Sequence, residues 1–180
     1  AKLFAKINSI MPLYIPVDNQ KGVAYKRYQE GEKVSNALKT DRSAKDFFFP
    51  QTESLMHFKT DGRNIEVIDI REDMQDFAIF GVRACDVKSL EVLDKVFLAE
   101  PVDTFYQNRR EHGIIISMAC TRPSETCFCQ TFGVDASSPA GDVECYKTND
   151  AYYFDAKTEK GKALLSKLED VTEECDDGAV

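Results

Sequence analysis

Two apolar runs on either side of one amphipathic segment constrain the fold of this chain most. Residues 77–82 (FAIFGV) and 114–119 (IIISMA) are almost entirely apolar, as expected of strands that are buried on both faces. After the candidate N-cap Asp86, the intervening segment has apolar residues at helical spacing: Val87, Leu90, Leu93 and Phe97. A strand–helix–strand unit of this kind predicts two parallel strands in one sheet.

The rest of the chain predicts how this unit is extended. Residues 64–70 (NIEVIDI) alternate like a strand, and the first 40 residues suggest short strands and turns. Phe47–Phe49 precede Pro50, which disfavours helix and suggests an extended segment inserted into the core. Two strand-like runs flank Asn149-Asp150, a favourable hairpin turn, and residues 159–171 form an amphipathic pattern. We therefore predict an α/β fold with a mixed sheet, a central parallel βαβ unit and a C-terminal hairpin plus helix.

Length and charge limit the domain organisation and the partners. With 180 residues, the chain is expected to form a single α/β domain over residues 1–171, followed by an acidic tail at 172–180. A net charge of −8 argues against nucleic acid and anionic membranes as partners. No apolar stretch reaches the roughly 20 residues that span a bilayer, and no signal peptide is recognisable, so we expect a cytoplasmic protein.

Four of the six cysteines follow the two apolar runs. Cys85 comes just after the first run and Cys120 just after the second, and Cys127 and Cys129 complete a C-x6-C-x-C pattern. Because parallel strands point their carboxyl ends to one edge of a sheet, Cys85 and Cys120 should lie close together. Residues i and i+2 of an extended chain point the same way, so Cys127 and Cys129 can face the same centre. Four thiolates are the ligand set of a [4Fe–4S] cluster.

The residues alone leave other interpretations open. This spacing is neither a standard ferredoxin pattern nor a zinc-finger pattern, so structural zinc and buried or redox-reactive thiols remain alternatives. Arg83 and Arg122 each lie two residues from a proposed ligand and could balance the negative charge of a cluster, or could be solvated surface residues. Cys145, in a strand expected to turn at a different edge, and Cys175, in the tail, are predicted not to be ligands.

Other chemistries have little support in the sequence. No GxGxxG motif or phosphate-binding loop is found, so dinucleotide binding should belong to a partner. Arg109 and Arg110 precede the second apolar run, where they suggest a solvated loop, with docking of an acidic partner as the alternative.

Four segments together carry a family resemblance: SAKDFFFPQTE, IFGVRACDVKSLEVLDKVFL, RREHGIIISMAC and CFC. Over residues 40–165 the chain resembles the beta subunit of cytosolic sulfhydrogenases and the related iron–sulfur subunit of anaerobic sulfite reductases. In that family the protein passes electrons between a flavin- and NAD(P)-binding partner and a catalytic subunit. The resemblance thus implies a non-catalytic electron-transfer component of an anaerobic oxidoreductase complex.

The resemblance also bears on the ligands and on the extent of the protein. The match of Cys85, Cys120, Cys127 and Cys129 to the family pattern favours a [4Fe–4S] cluster over zinc. Family members usually continue into a ferredoxin-like module with two clusters, so this chain is expected to be the N-terminal domain of a longer subunit. The alternative is a structural or docking domain whose cysteines bind zinc or are free.

Overall fold

A mixed six-stranded sheet forms the centre of the fold. The structure is a computed structural model that describes residues 2–175. In chain order, the helices and strands of this range are α1 (Lys2–Ile10), β1 (Leu13–Asn19), β2 (Gly22–Arg27), β3 (Met56–Asp61), β4 (Asn64–Asp69), β5 (Phe77–Val82), α2 (Ala84–Phe97), α3 (Thr104–His112), β6 (Gly113–Met118), β7 (Val143–Lys147), β8 (Tyr152–Ala156) and α4 (Glu159–Ser166). Short 3-10 helices lie at Ala44–Phe47 and Cys129–Phe132.

The order of the strands confirms the predicted fold class. The sheet runs β2-β1-β5-β6-β7-β8, and β1, β5, β6 and β7 are parallel to one another. The two outer pairs, β1–β2 and β7–β8, are antiparallel hairpins. Helices α2 and α3 connect β5 to β6, and α4 follows the C-terminal hairpin. The chain is therefore an α/β fold with a central parallel βαβ unit.

Strand β5 shows why this sheet is covered on both faces. All six of its residues are buried, and their side chains alternate between two hydrophobic clusters. Ala78 and Phe80 face the cluster that includes residues of α1 and α4, whereas Phe77, Ile79 and Val82 face the one that includes residues of α2 and α3. Successive side chains of a strand point to opposite faces of the sheet. The uniformly apolar sequence of β5 therefore supplies side chains to both cores.

A glycine bulge ends β5 just before the cysteine-bearing helix. Gly81 has φ of 83°, in the region that favours glycine, and the register with β6 shifts between Phe80 and Val82. The Tyr25 hydroxyl donates to the Gly81 carbonyl oxygen at 3.4 Å, and the Pro16 ring lies against the glycine. The bulge therefore sets the direction in which the chain leaves the sheet.

The helix after β5 begins earlier than the sequence indicates. The N-cap is Arg83, in an extended conformation, and Asp86 lies in the first turn, so the predicted N-cap is wrong. The Asp86 carboxylate instead accepts a hydrogen bond from the Ser43 hydroxyl at 2.6 Å. This bond ties the start of α2 to the 3-10 helix at Ala44–Phe47.

Several local predictions also differ from the structure. Phe47 belongs to a 3-10 helix, and only Phe48 of the three phenylalanines is fully buried, so the extended core segment is wrong. Phe49 is 46% exposed. The strand predicted at 64–70 is present as β4, but it pairs with β3 in a separate, exposed hairpin. Helices α1 and α3 are additions to the predicted elements.

The two arginines before β6 are in a helix and not in a solvated loop. Arg109 donates from Nε to the Phe48 carbonyl oxygen at 2.7 Å, and Arg110 makes two bonds of 2.8 Å to the Asp94 carboxylate. The Arg110–Asp94 contact holds α3 against α2, and the Arg109 bond ties α3 to the end of the 3-10 helix at Ala44–Phe47, so both side chains are structural.

Two remaining findings concern the membrane and the tail. Within residues 2–175, no helix is long and apolar enough to cross a membrane. Of the predicted acidic tail at 172–180, residues 176–180 lie outside the described residues.

Replacing Gly81 should test the importance of the bulge. We expect Gly81→Ala to lower the free energy of unfolding by about 1–3 kcal/mol, because alanine is strained at this φ. Its Cβ would also lie 3.2 Å from the Pro16 ring. Gly31→Ala is the matched control, since Gly31 has φ of 89° but no atom within 4 Å of an added Cβ. Urea denaturation measures both, and equal losses would show that the contact with Pro16 contributes nothing.

Candidate metal centre

The parallel strands bring two cysteines to the same edge of the sheet. Strand β5 ends at Val82, which pairs with Ser117 near the end of β6. Cys85 lies in the first turn of α2, and Cys120 lies two residues beyond β6. Both thiols therefore follow the carboxyl ends of neighbouring strands, as the sequence predicts.

The loop between β6 and β7 folds back over this edge and carries the other two cysteines. The Cys120 amide donates to the Ala136 carbonyl oxygen at 2.8 Å, which joins the two ends of the loop. The Val134 amide donates to the Cys129 carbonyl oxygen at 2.9 Å and closes the 3-10 turn that begins there. These bonds give the cysteine-containing loop a defined path.

Burial and neighbouring charges both act on the pKa values of Cys85 and Cys120. Desolvation by surrounding atoms is the main cause that raises the pKa of Cys85, followed by the charges of Asp86 and then of the Cys129 and Cys120 thiolates. Burial also raises the pKa of Cys120 most, and the charges of Cys129 and Cys127 raise it further. Cys85 at the start of α2 and the three cysteines of the β6–β7 loop thus lie at the same edge of the sheet.

Arg83 clamps the backbone around Cys120. Its Nη1 lies 4.0 Å from the Cys120 sulfur and donates to the Ala119 carbonyl oxygen at 3.1 Å. Its Nε and Nη2 donate to the carbonyl oxygens of Leu38 and Ala37 at 3.1 and 3.2 Å. The guanidinium therefore holds two segments together and places a positive charge beside one thiol.

Arg122, the second predicted cation, is placed differently from Arg83. Arg122 is exposed in the loop after β6, and it takes part in none of the ion pairs found among residues 2–175. Lys39, which the sequence analysis missed, donates from Nζ to the Thr126 hydroxyl next to Cys127. No local motif marks this lysine, because it is distant from the cysteines in sequence.

Ser124 stabilises the thiolate form of Cys127. Its amide donates to the Cys127 sulfur at 3.3 Å, and its hydroxyl also lies 3.3 Å from that sulfur. These hydrogen bonds are the main cause that lowers the pKa of Cys127, and the charge of Lys39 contributes. The sequence analysis missed Ser124, although a serine three residues before a cysteine is a recognisable turn signal.

A cavity of about 510 Å³ opens beside these thiols. Cys85, Cys127 and Cys129 lie in its wall, together with apolar residues of α2 and of the loop. Within residues 2–175, no group of three or more His, Cys, Asp or Glu side chains is placed to hold one metal ion. Three of the four thiols therefore border one space.

The remaining cysteines differ from these four. Strand β7 is parallel to β6, so Cys145 lies towards the same edge, and the expectation of a different edge is wrong. Cys145 is fully buried, however, and burial raises its pKa to about 12, which keeps the thiol protonated. Cys175 is exposed near the end of the described residues.

Alkylation of the metal-free protein should reveal the opposite pKa shifts of two exposed thiols. We expect iodoacetamide to modify Cys127 at lower pH than Cys85, because the thiolate is the reactive form. Mass spectrometry of peptides across a pH series measures the midpoint for each residue. Ser124→Ala should move the Cys127 midpoint upwards and leave that of Cys85 unchanged. Modification of Cys85 at the lower pH would contradict this assignment.

Comparison with known proteins gives one distant relative. No family model matches the chain, and no solved structure matches it. Sulfhydrogenase 2 subunit beta of Pyrococcus furiosus is 26% identical over 178 residues, which is 96% of this chain. The chain spans about half, 52%, of the length of that relative. The chain is thus distantly similar to a sulfhydrogenase beta subunit, which confirms this part of the resemblance predicted from its motifs.

Proposed function

We propose that this chain is an iron–sulfur electron-transfer domain of a multisubunit anaerobic oxidoreductase of the hydrogenase or sulfite reductase type. Cys85, Cys120, Cys127 and Cys129 would hold a [4Fe–4S] cluster. The observation that carries the proposal is that Cys85, Cys127 and Cys129 line one cavity at the sheet edge where Cys120 also lies. When bound, such a cluster supplies one-electron transfer.

The arrangement of the thiols fits a cluster better than a single ion. A structural zinc ion needs its ligands around one point, about 2.3 Å from each sulfur. In a cubane each thiolate binds a different iron, so the four sulfurs surround a volume. Three of the thiols line a cavity of about 510 Å³, and the fourth, Cys120, is their electrostatic neighbour.

The surrounding groups fit a negatively charged cofactor. Cys85 lies in the first turn of α2, where the helix dipole favours negative charge. The Arg83 guanidinium lies beside the Cys120 sulfur, and Ser124 donates to the Cys127 sulfur. Hydrogen bonds to ligand sulfurs are a common means of setting cluster potentials. Arg122, being exposed, would act only through longer-range attraction.

The partners follow from the relative and not from this chain alone. The relative's name describes one component of a larger assembly, and this chain spans half of it. We therefore propose that the domain relays electrons between a flavin- and NAD(P)-binding partner and a catalytic subunit, and that it performs no catalysis itself. The free state of its cysteines is compatible with the reducing cytoplasm, where we expect it to work.

A second function is favoured by one observation. Within the described residues, no three ligating side chains are placed to hold one metal ion. The same arrangement of side chains is expected of a docking domain whose cysteines are free. In that case the chain would position other subunits and have no redox role. Metal content separates the two functions.

Anaerobic purification should give a brown protein with about four irons per chain. We expect Cys85→Ser, Cys120→Ser, Cys127→Ser and Cys129→Ser each to lower the iron content, because each removes one metal–sulfur bond. Iron analysis and visible absorption measure the loss, and thermal unfolding should occur at lower temperature, since metal binding contributes to folding.

The remaining cysteines provide the matched control for this experiment. Cys145→Ala combined with Cys175→Ser should leave the iron content unchanged. Iron lost in the double variant would show that the ligand set is wrong. A wild-type chain that takes up no iron after anaerobic reconstitution would favour the docking function.

Ser124 should tune the cluster without holding it. We expect Ser124→Ala to retain full iron but to lower the reduction potential, because the hydroxyl favours the more negative, reduced state by approaching the Cys127 sulfur. Ser137→Ala is the control, since its hydroxyl donates to Asp135 in the same loop. A redox titration followed by electron paramagnetic resonance measures both, and an unchanged potential in Ser124→Ala would refute this role.

A further inference from the structure

Two exposed aromatic side chains flank the cysteines at the mouth of the cavity. Phe128 and Phe132 are 64% and 62% exposed, and their ring centroids are 5.4 Å apart. Val92 of α2, which is 55% exposed, lines the same cavity. We call the surface formed by Val92, Phe128 and Phe132 the apolar mouth. Exposed apolar side chains gathered at one opening are typical of a surface that contacts another protein.

The charge around the apolar mouth is opposite in sign to that of the whole chain. The chain has 23 basic and 31 acidic residues, which gives its net charge of −8. Of the charged residues lining this cavity in the described part of the chain, three are lysines, Lys39, Lys45 and Lys88, and one is the carboxylate Asp86. Asp86 is turned to Ser43 by a hydrogen bond. Lys88 also forms an ion pair with Glu91 at 2.7 Å, so the excess positive charge of this rim comes from Lys39 and Lys45. An acidic chain thus presents a basic rim around an apolar centre.

We propose that the apolar mouth and its lysine rim dock a small acidic electron-carrier protein of the ferredoxin type. Complementary charge would steer the carrier to this face, and apolar contact would fix it there. Cys85 and Cys127 are exposed at the same place, so an electron leaving the site would cross a short distance to a docked carrier. The choice of an electron carrier rests on the proposed function, whereas the docking itself needs only the side chains of this surface.

A second exposed apolar face lacks the combination of cysteines and lysines found at the cavity. Met56, Phe58, Ile65 and Val67 are all more than half exposed on the β3–β4 hairpin. The register pairs Phe58 with Val67, so the two share one face of the hairpin. Because this face is separate from the cysteine cavity, Phe58 provides a matched control for aromatic exposure.

The test measures binding of a purified acidic ferredoxin to the anaerobically prepared chain by calorimetry, at roughly 20 mM and roughly 300 mM salt, where screening differs strongly. We expect Lys45→Glu combined with Lys88→Glu to raise the Kd by about tenfold or more at low salt. Lys2→Glu combined with Lys167→Glu changes the net charge equally, but on exposed residues of α1 and the end of α4, across the sheet. That pair should leave the Kd within about twofold.

The aromatic residues are tested in the same way. Phe128→Ala should weaken binding at both salt concentrations, whereas Phe58→Ala, which removes a ring of 62% exposure, should not. Iron analysis of every variant separates a lost cluster from a lost surface. Weaker binding with full iron content supports the docking surface.

Three results would overturn the proposal. They are the absence of binding by an iron-loaded chain, equal weakening by the two lysine pairs, and self-association through this face that Phe128→Ala abolishes in sedimentation experiments. A chain that contains no iron, yet binds ferredoxin with the expected dependence on salt and on the lysines, would refute the proposed function and leave the docking surface intact.

Discussion

Parallel pairing of β5 with β6 is the constraint on which the rest of the structure depends. The register from Phe77 opposite Gly113 to Val82 opposite Ser117 brings both carboxyl ends to one level of the sheet. Side chains from both strands enter two separate cores, so neither strand can slip by one residue without exchanging its faces. The positions of Cys85 and Cys120, three and two residues beyond these strands, are consequently determined by the packing of the strands that precede them.

Electrostatic balance at this edge explains how thiols can gather in a chain of strongly negative charge. Burial is the main cause that raises the pKa values of Cys85 and Cys120, and the charges of neighbouring thiolates raise both further. Arg83 offsets part of this, but most of its donors are satisfied by backbone carbonyl oxygens. Its charge is therefore fixed in place by the fold and does not depend on a bound group. The same guanidinium that binds two segments together is available to a negatively charged cofactor, which is a form of preorganisation.

The sequence predicts the centre of the fold better than its periphery. Strands β5 and β6 are recognisable because continuous apolar runs have few alternatives, and their parallel direction follows from the helix between them. The 3-10 helix through Phe47 depends on packing that local patterns do not show, whereas α1 has apolar residues at helical spacing that the sequence analysis missed. Among the site residues, the thiols are visible from their spacing. The clamp made by Arg83 is not, because its partners at Ala37 and Leu38 are carbonyl oxygens that every residue possesses.

Two cysteines at the same sheet edge have pKa values shifted in opposite directions. This difference shows how the fold separates structural thiols from reactive ones. Cys145 and Cys127 both lie beyond or beside the end of β6, yet burial keeps the first protonated, and hydrogen bonds from Ser124 stabilise the second as a thiolate. Cys145 is a residue of β7, and its carbonyl oxygen accepts from the Ala119 amide at 3.0 Å, which continues the sheet pairing. Cys127 is in a loop, so its sulfur is surrounded by donors instead of by core atoms. A strand position fixes a thiol as part of the core, whereas a loop anchored at both ends can present one to a ligand.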